Sequence, residues 1–410
     1  MNLTRSFEGE FDMIQPLSAP PNKLFLNVDC SALLKNYRLI KQIAYPAQVL
    51  AVLKSNAYGL SLSKISKILA EDGLKWIGCA SLSEALDIKK VCGKSVEILL
   101  MHPPYAEEIP ILIQENFIQS LTSFDLALKL SDEAVRQNRK IRVHLDINVG
   151  INRLGIDPEE IREKSELIFS MPGLDIMGIS SHFSSADGSD PLLPREEFKK
   201  FDTIVKFLAE KGHIFPVKHI SNSAGLLNFP EYRMDMVRAG ILLYGISPGF
   251  QKHVPETFKP VVSLSTRIAH LFTIKKGEGV SYHHTWVSPE KGALATLPIG
   301  YADGIPGALS NKGEVLIHGE RFPIVGQICM DLMVVSLGNK PANIGEEVVL
   351  LGRQGKDEIG VLDWAKWGNM NPHEILTGLG RALPKLYLHE KEVNYGKTMR
   401  CVRKRSSYRV

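Results

Sequence analysis

Eight short apolar runs recur between residues 48 and 245, each parted from the next by an amphipathic segment. They read "QVLAVLK" (48–54), "WIGCAS" (76–81), "VEILLMH" (96–102), "IQSLTS" (118–123), "RVHLDIN" (142–148), "LDIMGISSHF" (174–183), "HISNS" (219–223) and "AGILLYG" (239–245). Runs this short and this continuously apolar suit strands buried on both faces, the situation in a parallel sheet covered by helices. The segments between them carry helix boundaries. Ser81-x-x-Glu84 reads as a capping box and Gly93 as a stop; Asp157 reads as a cap followed by Pro158 at the first helical position. Eight strand–helix alternations predict an α/β fold, a (β/α)8 TIM-type barrel, with a doubly wound open sheet as the alternative that a sequence pattern leaves open.

Near residue 256 the rhythm changes. "VVSLSTRIAHLFTI", "GALATLPIG", "GEVLIHGERFPIVGQICMDLMVVSL" and "EEVVLLGRQG" read as strands joined by Gly-bearing turns, broken by one amphipathic stretch, "GVLDWAKWGNM". The chain therefore divides into a flexible extension (1–20), the barrel (21–257, opening with the strand-like "KLFLNVD"), a mainly β domain (258–395) and a basic tail (396–410).

Composition removes several function classes. A net charge of +4 over 410 residues, with basic residues scattered, gives no footprint for nucleic acid. Cys30, Cys79, Cys92, Cys329 and Cys401 show no paired or CxxC spacing, which predicts reduced thiols, no metal site and a cytoplasmic setting. The first residues lack the apolar run of a signal peptide, and no stretch reaches the ~18–20 apolar residues of a membrane span.

In a barrel the chemistry sits where the strands end. Lys54 and Tyr58 follow the first run, Arg153 follows the fifth, His182 the sixth, Asn222 and Ser223 the seventh, and Arg238 precedes the last. A lysine among arginines, a histidine and small hydroxyls suits an anionic ligand that carries a carbonyl. A desolvated lysine forms a Schiff base with such a group, whereas a solvated one is an ordinary surface cation.

"AVLKSNAYG" (51–59) resembles the cofactor-lysine signature of the alanine racemases, a pyridoxal-phosphate (PLP) family that joins a barrel to a β domain. "VGINRLG", "SHFSSAD", "SNSAG", "MVRAGILLYG", "GVSYHHT", "PIGYADG" and "GQICMD" follow in the family's order, from about residue 22 to about 390. The resemblance implies PLP on Lys54, which also serves as base on one face of the substrate Cα. Tyr282 of the partner subunit is then the base on the opposite face, so a homodimer is implied. Arg153 and His182 stand near that tyrosine, and Arg238 resembles the arginine on the pyridine nitrogen. Tyr58, Asn222, Ser223, Gly240 and Ile241 resemble the remaining cofactor contacts; Tyr301 and the Met330 amide resemble substrate contacts. The implied activity interconverts L- and D-alanine, supplying D-alanine for bacterial peptidoglycan. A broader amino-acid racemase, a PLP-dependent decarboxylase and a PLP-binding homeostasis protein are the alternatives; Arg238 in place of an acid argues against the second, and the β domain against the third.

Three positions depart from the family. Asp146 stands where a carbamylated lysine is common, and as an anion it is expected to hold Arg153. Arg381, in "GLGRALPK", replaces a phosphate-contacting tyrosine and is expected to bind the phosphate as a cation. His283 replaces a glycine beside Tyr282.

Overall fold

The computed structural model describes residues 24–248 and 257–389. The expected extension at 1–20 and tail at 396–410 lie outside the described residues. Nine strands lead up to the second domain: β1 (Leu26–Asp29), β2 (Gln48–Val52), β3 (Trp76–Cys79), β4 (Glu97–Leu100), β5 (Ile118–Leu121), β6 (Ile141–Asp146), β7 (Leu174–Ser180), β8 (Val217–His219) and β9 (Met236–Ala239). Eight of them pair in parallel in the order β8-β7-β6-β5-β4-β3-β2-β9, with helices between, as the barrel reading expects.

Alternation along these strands divides their side chains. Val49 and Ala51 join the main core under the helices, while Leu50 and Val52 turn inward. Inside, Leu50, Trp76, Leu99, Ile118, Val217 and Met236 fill a small separate cluster. Two residues further along β5, β6, β7, β8 and β9 the inward set becomes polar: Ser120, Asp146, Ser180, His219 and Arg238. The apolar layer is a floor, and the polar layer lines a cavity at the carboxyl ends of the strands.

Between β8 and β9 no regular ladder forms. The gap is bridged by other bonds. Asp235 N–H donates to Lys218 O (3.0 Å), Lys218 N–H to the Asp235 carboxylate (2.9 Å), and Arg238 N–H to Ser221 O (2.9 Å).

The last apolar run differs from its expected span. Its strand is Met236–Ala239, and Ile241–Tyr244 forms a buried 3-10 turn between Gly240 and Gly245. Gly245 has φ +72, and a Cβ there would lie 2.0 Å from Lys259 O, so the chain must turn at a glycine. β1 also differs. It joins not the barrel but the second domain's sheet, antiparallel to Val262–Arg267 and parallel to Lys385–Leu388. Its burial alternates along the strand, the mark of a one-sided sheet rather than of a barrel strand. Asp29 ends it and caps the next helix, Cys30–Ala44, by accepting from Ser31 N–H and Ala32 N–H.

The second domain is mainly β, with Val262–Arg267 flanked on its other side by Glu347–Gln354. Among the described residues it carries two α-helices. Val361–Gly368 matches the amphipathic stretch in the sequence. Pro372–Ala382 is an additional helix, whose start is the Asn371-Pro372 pair; the Asn371 side chain accepts from His373 N–H. This second helix docks against the turn after β2. A Cβ at Gly59 would lie 2.7 Å from the Gly380 carbonyl carbon, and one at Gly380 2.7 Å from Tyr58 O. Backbone thus meets backbone, and only two glycines permit it. Replacing Gly380 by Ala is expected to destabilise the chain by about 1–3 kcal/mol, because a methyl forced into a closed contact pushes two elements apart. A lowered midpoint in denaturant unfolding checks this.

Candidate active site

The cavity at the strand ends has a volume of about 720 Å³. Its wall includes Lys54, Tyr58, Arg153, His182, Asn222, Ser223, Arg238, Gly240 and Ile241, nine of the residues expected from sequence. The helix Pro372–Ala382 and its cap add Asn371, His373, Glu374 and Thr377 as a wall from the second domain.

Lys54 opens a left-handed turn. Ser55, Asn56, Ala57 and Tyr58 have φ of 55, 57, 54 and 58°, and Gly59 continues at 82°. Non-glycine residues avoid this region at roughly 1–2 kcal/mol each, so surrounding bonds must hold it. Ala57 N–H reaches Leu53 O and Gly59 N–H reaches Ser55 O, both at 2.8 Å. Tyr244 Oη donates to Ala57 O (3.0 Å), and Asn56 Oδ1 accepts from Leu62 N–H (2.7 Å). Glu84 completes the set. Its two carboxylate oxygens accept from Asn56 N–H and Ala80 N–H, each at 2.9 Å. The capping box expected at Ser81 is therefore half formed: Ser81 Oγ accepts from Glu84 N–H, but the Glu84 side chain serves the lysine turn.

Nothing among the described residues hydrogen-bonds or ion-pairs with the Lys54 ammonium. Burial and the neighbouring Arg153 cation lower its pKa, with Glu84 pulling the other way. Arg153 lines the cavity beside it. The expected Asp146–Arg153 bond does not form: Asp146 accepts from Ser180 Oγ at 2.9 Å instead, its short side chain staying with its own strand neighbour. Burial raises its pKa, against the pull of Ser180 and the arginines.

Arg238 is buried and its terminal nitrogens are spoken for. Nη1 donates to His219 Nδ1 (2.8 Å) and His219 O; Nη2 donates to Ser181 O (2.6 Å), Ile220 O and His182 Nδ1 (2.9 Å). Burial lowers its pKa to about 10, which leaves it charged at neutral pH. Its Nε–H has no partner among the described residues. Because arginine only donates, the tautomers follow. His219 accepts at Nδ1 and donates from Nε2 to His144 Nδ1 (2.8 Å), so the proton of His144 is on Nε2. His182 likewise carries its proton on Nε2. Burial and the Arg238 cation push His182 and His219 well below the usual histidine range, so both are neutral.

Asn222 Oδ1 caps the helix Ser223–Asn228 by accepting from Gly225 N–H, which turns its amide nitrogen toward His182 Nε2 at 3.5 Å. Two donors thus face one another with no acceptor between them. Ser223 Oγ accepts from Gly240 N–H (3.0 Å). A Cβ at Gly240 would lie 2.3 Å from Tyr58 Oη, so the phenol lies on bare backbone at the start of the Ile241–Tyr244 turn.

Four expected residues lie elsewhere. Tyr282, Tyr301 and Met330 are 67, 51 and 55% exposed and do not line this cavity. They belong to one neighbourhood of the second domain: Tyr301 N–H donates to Cys329 O, Ala302 N–H to Met330 O, and Ser281 Oγ to Gln327 O. Arg381 is also a correction. It is exposed and outside the cavity, because Gly380 presses the helix onto Gly59 there and the helix meets the cavity two turns earlier, at His373. His219, His373 and Glu84 were not expected as site residues. His219 stood inside an apolar run, Glu84 read as a cap, and only the Asn-Pro helix start could have flagged His373.

Two family models match the chain: alanine racemase, N-terminal domain, over residues 28–248, and alanine racemase, C-terminal domain, over 261–387. The chain belongs to the alanine racemase family. An alanine racemase of Halothermothrix orenii is 33% identical over 362 residues, 88% of this chain and 95% of that one. The alanine racemase structure from Streptomyces coelicolor superposes with a TM-score of 0.84 at 28% identity, covering 90% of this chain and 98% of that one. The one from Bartonella henselae, which has covalently bound pyridoxal phosphate, gives 0.81 at 31% identity, covering 90% and 100%.

In Glu84→Gln one acceptor and the negative charge are lost. The chain is expected to lose about 1–2 kcal/mol of stability. The Lys54 pKa is expected to fall further, since the anion that raises it is gone. Denaturant unfolding and the pH dependence of Lys54 labelling by an amine reagent check the two effects.

Proposed function

We propose that this chain is a PLP-dependent racemase that interconverts L- and D-alanine, working as a homodimer. The observation that carries the reading is Lys54: a partly buried ammonium without a counter-ion, held by a strained turn in the cavity that Arg238 also lines. The residues present fit PLP. Lys54 offers an amine with a lowered pKa, and Arg238 keeps one N–H uncommitted. Tyr58, Ser223, Gly240 and Ile241 form a cradle where a Cβ at Gly240 would collide with Tyr58 Oη.

When bound, PLP supplies an aldehyde carbon for an amine and a ring that draws electrons from the substrate Cα. The side chains do the rest. Lys54 Nζ, nearer neutrality than a free lysine, takes or returns a proton on one face of Cα. Arg238, whose Nε–H is uncommitted and which keeps its own proton, would offer the ring nitrogen a hydrogen bond and no charge. Asn222 and neutral His182 present N–H groups to an acceptor on the ligand. Arg153, a cation beside Lys54, keeps the lysine proton labile and favours the substrate carboxylate.

On this reading the opposite base comes from a second copy. Tyr282, Tyr301 and Met330 lie together outside the cavity of their own chain and are half exposed or more, which supports a site completed by a second copy. Tyr282 of the partner subunit would then exchange the proton on the other face through its phenol oxygen. Cys79, Cys92 and Cys329 are free thiols, which suits the expected cytoplasmic setting. No helix among the described residues is long and apolar enough to cross a membrane.

Racemisation of alanine by purified protein with added PLP tests the activity, with serine, lysine and arginine alongside to fix the substrate range. The sharing of sites is tested by mixing two inactive variants, Lys54→Ala and Tyr282→Phe. A mixed dimer has one intact site and one doubly altered site, so re-equilibrated mixtures are expected to recover about a quarter of wild-type turnover. Mixtures as inactive as the separate variants would show that each site is built within one chain.

A further inference from the structure

The cavity has a histidine that the reading above leaves without a task. His373 is the second residue after the cap of a helix in the second domain, yet it lines the cavity formed by the barrel. Its ring lies 5.9 Å from the ring of Tyr58, whose hydroxyl rests on Gly240. Tyr58 therefore bridges His373 to the backbone cradle of Gly240 and Ile241.

The donor pattern at His373 is fixed by Asn371. Asn371 Oδ1 accepts from His373 N–H at 2.9 Å, so the oxygen of that amide is the atom facing the helix. The same oxygen lies 2.9 Å from His373 Nδ1, and an acceptor there requires Nδ1 to carry a proton. In the neutral ring Nε2 is then bare and can only accept. It becomes a donor only when the ring gains a second proton. Among the described residues nothing bonds to Nε2.

The groups around this ring come from two other elements and its own. Lys54 and Tyr58 face it from the left-handed turn, Asp187 from the loop after β7, and Glu374 from its own helix. Burial and the Lys54 cation lower the His373 pKa, while Asp187 raises it. Without an anion in the cavity the ring is therefore neutral at pH 7. His182 and His219 are tied to Arg238, and His102, at the end of β4, makes no ring contact with Tyr58. Arg381, the cation expected on this wall, is outside the cavity.

We propose that His373 binds the phosphate of PLP through Nε2–H as an imidazolium, so that cofactor binding takes up one proton from solvent. The inference rests on the PLP reading above. The proton goes from water to Nε2, and no bond other than N–H and its hydrogen bond to phosphate oxygen is made. The sign follows. A phosphate beside the ring raises its pKa above the free-protein value. Affinity is then greatest below the free-protein pKa and is lost as pH rises through the window between the two values. The phosphate's own second ionisation, near pH 6, acts in the opposite direction by adding negative charge as pH rises.

The test is the dissociation constant of PLP from the full chain between about pH 5.5 and 8.5, the span in which histidine titrates. It is run beside pyridoxal, which has the same aldehyde and no phosphate, and beside His373→Gln. Wild type is expected to lose about tenfold more PLP affinity than pyridoxal affinity for each pH unit of the window. In His373→Gln that extra loss is expected to vanish, leaving only the opposite trend from the phosphate's own ionisation, with pyridoxal behaving as in wild type. Parallel PLP and pyridoxal profiles in the wild type, a comparison that needs no variant, would overturn the proposal. So would a His373→Gln profile with the wild-type slope. Failure of both PLP and pyridoxal to bind the wild type at any pH would instead overturn the PLP reading itself.

Discussion

The guanidinium of Arg238 is where fold and site depend on one another. The sheet has no regular ladder between β8 and β9, and this side chain donates across that gap to Ser181, His219 and Ile220 carbonyls. A buried charge is costly unless its donors are satisfied, and here the strand ends provide the acceptors. The same bonds set the tautomers of His182 and His219, because an arginine cannot accept. A single residue thus helps close the barrel, fixes which histidine nitrogens carry protons, and leaves one N–H without a partner among the described residues.

The lysine is placed by strain. Four successive non-glycine residues in the left-handed region turn the chain sharply at the end of β2. What makes that conformation affordable is a carboxylate from the next βα unit, a tyrosine hydroxyl from the turn after β9, and a glycine contact with the second domain. The second domain is therefore part of the lysine's support. It is also part of the cavity wall, through Asn371, His373, Glu374 and Thr377. β1 ties the domains further, since it pairs within the second sheet and then caps the first barrel helix.

The cavity wall sets three cations, Lys54, Arg153 and Arg238, among three carboxylates, Asp146, Asp187 and Glu374. Burial together with the Arg153 cation lowers the proton affinity of Lys54 and Arg238. Asp146 lies at its base, bonded to Ser180. Neutral His182 and Asn222 add donors without an acceptor between them. A doubly charged phosphate and a substrate carboxylate are the kind of groups that relieve such an arrangement.

The sequence by itself determined the architecture and half of the chemistry. Strands buried on both faces must be continuously apolar, and that pattern is local, so the eight-fold rhythm and the change near residue 256 were readable. That Lys54, Arg238, Ser223 and Tyr58 share one cavity wall was readable because motifs preserve spacing along the chain. Other features belonged to the tertiary structure. The one-sided strand β1 could pair with either domain until distant partners at Val262–Arg267 and Lys385–Leu388 were in place. Glu84 looks like a cap until the lysine turn is folded beside it. Arg381 and His373 lie on one helix, and which of them meets the cavity depends on where Gly380 touches Gly59, a contact more than 300 residues apart in sequence. Local pattern fixes periodicity and turn chemistry; which side chains share a cavity is decided by packing between segments far apart in the chain.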